Sequence, residues 1–175
     1  MVKNKVDIDD TNISLDLSDA TQAVKENRFQ DAILLLKRIL KDQPDNIDAL
    51  YLSAVSSRYL KKFDESRRYI MDLLSNAPDM GRAYQEYGHL NRDQGNEEKA
   101  VMHYRQACEL NPALIASWNF LYQYFTKYKN KPAADHAEEQ LKKLKSLPEL
   151  LLYILSLIHI SEPTRRRGIS YAVFC

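Results

Sequence analysis

An all-α chain of antiparallel helix pairs, stacked as an α-solenoid, is predicted by three observations. Prolines recur at Pro44, Pro78 and Pro112, each 34 residues after the last. Small residues recur in phase with them: Ala20, Ala54 and Gly88, and then Ala32, Ser66, Ala100 and Ala134. Between these marks the apolar residues fall at spacings of three and four, the period of a helix with one buried face. Counting by the same period divides the chain into units at 13–46, 47–80, 81–114 and 115–148.

The stretch GRAYQEYGHLNRDQGNEEKAVMHYRQACELNP, 81–112, sets the register. Tyr84 is followed by Tyr87 and Gly88, then by Ala100, Tyr104 and Ala107, with Pro112 closing the unit. Gly88 and Ala100 are expected to face each other where the two helices cross, because only small residues let backbones come that close. Gly95 falls at the reversal between them, where a positive φ is tolerated or needed. In the first unit, a helix is expected from Leu15 to Glu26, capped by Ser18 or Asp16, and a second opens at Phe29 with Ala32, Ile33, Leu36, Ile39 and Leu40 inward. The second unit offers Leu50, Tyr51, Ala54 and Tyr59, then Phe63, Tyr69, Ile70, Leu73 and Leu74. In the fourth, Trp118 takes the slot of Leu50 and Tyr84 and is expected to fill space between successive units. Tyr122 breaks the small series and Glu138 the large one that runs Leu36, Ile70, Tyr104. The last helix, Ala133 to about Lys145, sets Glu138 and Glu139 four residues before Lys142 and Lys143, an arrangement that supports a helix by a few tenths of a kcal/mol per pair. Pro148 starts a further helix, PELLLYI, read as the beginning of a fifth unit at 149–154.

These spacings resemble the tetratricopeptide repeat, in which large residues at fixed positions pack against small ones over about 135 of the 175 residues. The resemblance implies a concave groove lined by the first helix of each pair. The register places there Tyr51, Val55 and Arg58 from the second unit, Arg82, Gln85, His89 and Arg92 from the third, and Asn119, Gln123 and Thr126 from the fourth. Such a surface suits an extended protein or peptide, held by main-chain hydrogen bonds and by arginine on carboxylates. Two specialisations of the family are not matched. At the positions where carboxylate-gripping co-chaperones use Lys and Asn stand Leu17, Thr21, Leu52, Arg82 and Glu86, of which only Arg82 has a suitable charge. At the asparagine-ladder positions of sugar transferases stand Ser18, Leu52, Glu86 and Phe120.

The composition fits one domain with a net charge of +1, which argues against a nucleic-acid or membrane surface. Residues 1–12 form a polar lead-in, expected to be mobile and without the pattern of a secretory signal. Cys108 is expected to be a reduced, inert thiol of a cytoplasmic protein. The end of the chain reads differently. LSLIHISEPTR, 155–165, and ISYAVFC, 169–175, look like translated sequencing-adapter ends separated by Arg166-Arg167-Gly168. On that reading 155–175 are set aside, and the natural sequence continues past Ile154 differently. LLLYILSLIHI is too short to span a membrane.

A search for chemistry finds little. His89, His103 and His136 fall at unrelated positions and pair with no Cys or His at metal-ligand spacing. Neither phosphate-binding glycine motif occurs. The chain is therefore read as a non-catalytic scaffold that needs no cofactor or metal. The wording FQDAILLLKRILKDQPDNIDALYLSAVSSR and the exit SLPELLLYI resemble bacterial proteins that join such repeats to a sulfotransferase domain. That resemblance implies an alternative, in which the chain is the substrate-presenting arm of a group-transfer enzyme whose catalytic domain lies elsewhere.

Overall fold

The computed structural model describes residues 6–148, 151 and 154–155. Among them are eight helices and no strand: α1 (Val6–Lys25), α2 (Phe29–Asp42), α3 (Ile47–Tyr59), α4 (Phe63–Asn76), α5 (Gly81–Asp93), α6 (Glu97–Leu110), α7 (Ile115–Lys127) and α8 (Lys131–Lys145). Each helix packs on the next, and α1 touches α3 as α3 touches α5, so the first helices of successive pairs form a layer of their own.

The turn inside each pair is built the same way. Residues 27, 61, 95 and 129 all have positive φ, but only the third is glycine; the others are Asn27, Lys61 and Lys129, at 58°, 58° and 56°. The N–H of the following residue reaches back to the last turn of the first helix: Arg28 to Ala23, Lys62 to Ser57, Asn96 to Asn91 and Asn130 to Phe125, at 2.8–2.9 Å. A left-handed residue with this long backward bond satisfies carbonyls that a helix end would leave orphaned. Between pairs, Asn46 caps α3 by accepting from the Ala49 N–H at 3.0 Å.

The core follows the small-and-large pattern. Ala20, Ala32, Ala54, Leu36, Ile70, Ala100 and Tyr104 are all fully buried. In the second pair the small slots meet directly, as the Ser66 hydroxyl donates to the Ala54 carbonyl at 2.9 Å. In the third pair the atoms nearest to Gly88 belong to Tyr104, one turn beyond the fully buried Ala100. A Cβ on Gly88 would lie 2.7 Å from the Tyr104 ring, so the glycine makes room for that ring. Gly81 is also closely packed, with Asn111 Cβ 2.9 Å from where a side chain would start.

Helix α1 begins at Val6, not near Leu15, and so runs through half of the expected lead-in. Asp16 lies inside it and pairs with Arg38 at 3.2 Å instead of capping its start. Helix α8 carries the expected Glu138–Lys142 and Glu139–Lys143 pairs, at 3.1 and 2.9 Å. Leu151, Ile154 and Leu155 are helical, with Leu151 and Ile154 exposed. The Asn111 amide donates to the Leu155 carbonyl at 3.2 Å. Most of the expected adapter-derived tail, 156–175, lies outside the described residues.

Candidate functional site

The layer of first helices carries the residues expected in the groove, and their surroundings divide them. Arg82, in the first turn of α5, reaches across to α3, where its Nη2 donates to the Tyr51 hydroxyl at 3.0 Å. Its guanidinium also lies over the Tyr51 ring, 4.7 Å from the centroid, an attraction of about 0.5–2 kcal/mol according to how dry the site is. Gln85 bridges the other way, donating to the Ser117 hydroxyl of α7 at 3.0 Å. Val55, one turn after Tyr51 on α3, is half-buried. Asn119, Gln123 and Thr126 follow one another along α7 and are exposed, with Thr126 Oγ1 donating to the Tyr122 carbonyl at 2.8 Å.

His89 is tied down. Its Nδ1 lies 2.6 Å from the Tyr104 hydroxyl in a shared hydrogen bond, and the two rings meet edge to face. Burial, helped by the positive charges of Arg58 and Arg92, lowers its pKa to about 4, so the imidazole is neutral near pH 7. Burial likewise holds the Tyr104 phenol above its ordinary value.

Arg58, expected in the groove, stands on the first-helix layer but is buried within it. Its side chain is only 6% exposed and forms an ion cluster between α3 and α5. Nε donates to Glu86 at 2.5 Å and Nη1 to Asp93 at 2.7 Å. Asp93 in turn accepts from exposed Arg92 at 2.8 Å. Burial disfavours the Arg58 charge, yet Glu86 and Asp93 outweigh it and hold the guanidinium above its ordinary value. Burial also pushes the Glu86 carboxyl up against the pull of Arg58. The cluster is therefore a cross-repeat clasp with a desolvation cost, and Arg58 has no face left for a ligand. Glu86 and Asp93 were missed as its partners. Their signal was the register: Arg58 is the twelfth residue of its unit, and Glu86 and Asp93 are the sixth and thirteenth of the next.

Arg58 and Arg92 are neutralised by their neighbours, whereas Arg82 has no carboxylate within 4.0 Å among the described residues.

Comparison with known proteins agrees with this architecture. Residues 81–114 match the family described as Tetratricopeptide repeat. The fold is a solenoid of the tetratricopeptide type. Among solved structures, the repeat solenoid resembles a MamA RS-1 ArsTM double mutant at 17% identity, with a TM-score of 0.64 over 76% of this chain and 75% of that one. It resembles MamA 41-end from Desulfovibrio magneticus RS-1 at 19% identity and a TM-score of 0.61, over 77% and 75% of the two chains. A Thermobaculum terrenum O-GlcNAc transferase mutant matches at 20% identity and a TM-score of 0.64 over 71% of this chain, which spans only 23% of that one. No curated protein matches the sequence.

Among the described residues, no group of three or more His, Cys, Asp and Glu could hold a metal ion, and no helix is long and apolar enough to cross a membrane. Cys108 is buried, and burial pushes its thiol up to about 12, so the nucleophilic thiolate is suppressed.

Proposed function

We propose that this protein is a cytoplasmic interaction scaffold that binds an extended protein or peptide segment along its first helices. The observation that supports this reading most is Arg82. It is oriented by the Tyr51 hydroxyl and ring and is in no ion pair within 4.0 Å among the described residues, although Asp48 feels its charge, so part of the ordering cost of a charge-assisted contact is met in advance. Gln85, His89 and Arg92 flank it, and the exposed amides of Asn119 and Gln123 offer donors and acceptors to a peptide backbone one helix further on. Tyr51 and Val55 supply the apolar floor.

The test is selection from a displayed library of extended peptides, followed by titration of the selected peptides against Arg82→Met and the Asn119→Ala/Gln123→Ala double variant. Loss of a charge-assisted hydrogen bond corresponds to about 1.5–3 kcal/mol, so Arg82→Met should weaken binding by roughly tenfold or more. No enrichment, or binding indifferent to both variants, would refute the proposal.

A second reading rests on the transferase neighbour, of whose chain the matching segment covers 23%. There the same face would present substrate to a group-transfer domain, such as a sulfotransferase, encoded next to it.

A further inference from the structure

Away from the first-helix face, a cleft of about 280 Å³ opens between α6, α7 and α8. Trp118, Leu121 and Phe125 form its apolar part, Cys108, Ala133 and Ala137 its narrow walls, and Arg105, Glu109 and His136 its polar edge. Trp118 is fixed there: its Nε1–H donates to the Pro112 carbonyl at 2.9 Å, and His136 meets its ring edge to face.

The chain supplies its own control for why this cleft exists. Thirty-four residues before Cys108 stands Leu74, and before that Leu40. At the slot of Ala137 the earlier units have His103 and Tyr69, and at that of Ala133 they have Lys99 and Glu65. In the first two pairs Leu40, Leu74 and Tyr69 pack together around Leu50. In the third pair His103 stacks on Tyr87, with ring centroids 4.0 Å apart. Only where α8 meets α6 are a leucine and a ring both replaced by small residues. On the facing side α7 carries Trp118 and Phe125 where α3 has Leu50 and Ser57, and the space between these rings and the small residues stays open as the cleft.

The edge of the cleft carries two opposite charges. Arg105 lies over the Phe125 ring at 5.1 Å. Neither Arg105 nor Glu109, one turn on, is in an ion pair among the described residues. An apolar cavity of about 150 Å³ already admits benzene, so this one has room for a ring with a short polar tail.

We propose that the cleft is a binding site for a free aromatic amino acid, its ring against Trp118 and Phe125, its carboxylate toward Arg105 and its ammonium toward Glu109. The charges at the edge complement a zwitterion and favour neither a simple acid nor a simple amine. This site is separate from the peptide-binding face, so the two proposals stand or fall independently.

Trp118 is the only tryptophan, so its fluorescence reports on the cleft directly. L-Phenylalanine, which does not absorb where tryptophan is excited selectively, should give a saturable change in Trp118 emission. Phenylacetate and phenethylamine, each lacking one charge, should bind at least about tenfold more weakly, the loss of one charge-assisted contact. Ala137→Tyr restores the ring present at Tyr69 and should abolish the change. Arg105→Gln leaves the cavity intact and should weaken L-phenylalanine by about tenfold while leaving phenethylamine unaltered. The proposal is overturned if L-phenylalanine gives no saturable change at millimolar concentration, if the single-charge analogues bind as well as it does, or if Arg105→Gln binds like the parent.

Discussion

In α1–α4 every buried hydrophobic residue is aliphatic, Ala20, Ala23, Ala32, Leu36, Ile39 and Ala49 forming one cluster, while rings such as Phe63 and Tyr69 pack against the core only partly buried. In α5–α8 rings join the small and aliphatic residues of the buried core. Tyr104 is fully buried and lies 4.5 Å from Phe120, with Trp118, Tyr124 and Phe125 packed around the same cluster. The slots are equivalent by register, so the difference lies in side-chain volume and polarity. It is sharpest on α3. Ser53, Ser56 and Ser57 are all fully buried there, and none of their hydroxyls has a hydrogen-bond partner. On α7 the residues 68 positions later are Leu121, Tyr124 and Phe125. A buried hydroxyl without a partner costs about 1–3 kcal/mol, whereas a buried ring brings apolar area and favourable ring contacts. The second half of the solenoid should therefore be the firmer one, joined to the softer half by the clasp of Arg58, Glu86 and Asp93.

The clasp gives the largest expected effect. Arg58→Met leaves Glu86 buried without a counter-charge and should cost about 3–5 kcal/mol in urea unfolding. Adding Glu86→Leu should recover much of that, since an apolar pair avoids the desolvation altogether. A single Arg58→Met variant as stable as the parent would mean that the clasp does not couple the halves.

A pH titration comes next. The folded-state pKa of His89 is lowered to about 4 by burial and then by Arg58 and Arg92, so between about pH 6.5 and 4 the unfolded chain binds more protons than the folded one. Stability must then rise with pH through that window and fall as acid is added. His103 on α6 is lowered in the same direction, by burial and then by Arg67 and Lys99. Both histidines lie in the firmer half, which should be the half that acid loosens. Melting temperatures measured from pH 7 to 4 should drop less steeply in His89→Gln than in the parent, and identical slopes would show that His89 is not responsible.

The serines test the comparison from the other side. Replacing Ser53 or Ser57 by alanine removes a desolvated hydroxyl and improves helix propensity, for an expected gain of about 0.5–1 kcal/mol each. Chemical denaturation should show this in α1–α4; a loss of stability would mean that the hydroxyls are partnered in solution.

The smallest effect belongs to the turns. Lys61 and Lys129 hold a left-handed conformation that costs a non-glycine residue roughly 1 kcal/mol. Lys61→Gly should return part of that, by about 0.5 kcal/mol after the added flexibility of the unfolded chain. Gly95→Ala should lose a comparable amount, since nothing lies within 4 Å of where its Cβ would be and only the φ of 78° opposes it.

Much of this was legible in the sequence because periodic packing leaves a periodic trace. The buried alanines, Leu36, Ile70 and Tyr104 stand where the 34-residue register puts them. Gly95 disclosed the left-handed turn, and stepping by the period from it finds Asn27, Lys61 and Lys129. Polar residues were harder. Arg58 and Arg82 look alike in a helical pattern, and only the side chains opposite them decide that one is buried in a clasp while the other is held open by a tyrosine. The partner of Gly88 was hidden for a similar reason. A glycine signals close approach but does not say to what, and here the nearest atoms are those of the Tyr104 ring, one turn beyond Ala100.

Amide hydrogen exchange along the folded chain tests the central claim most directly, because it reads local opening free energies helix by helix. The account predicts that α5, α6 and α7 exchange slowest near pH 7 and that α1 and α3 open first, with α3 gaining protection in Ser53→Ala. Equal protection in α3 and α7, or slower exchange in α3, would contradict it.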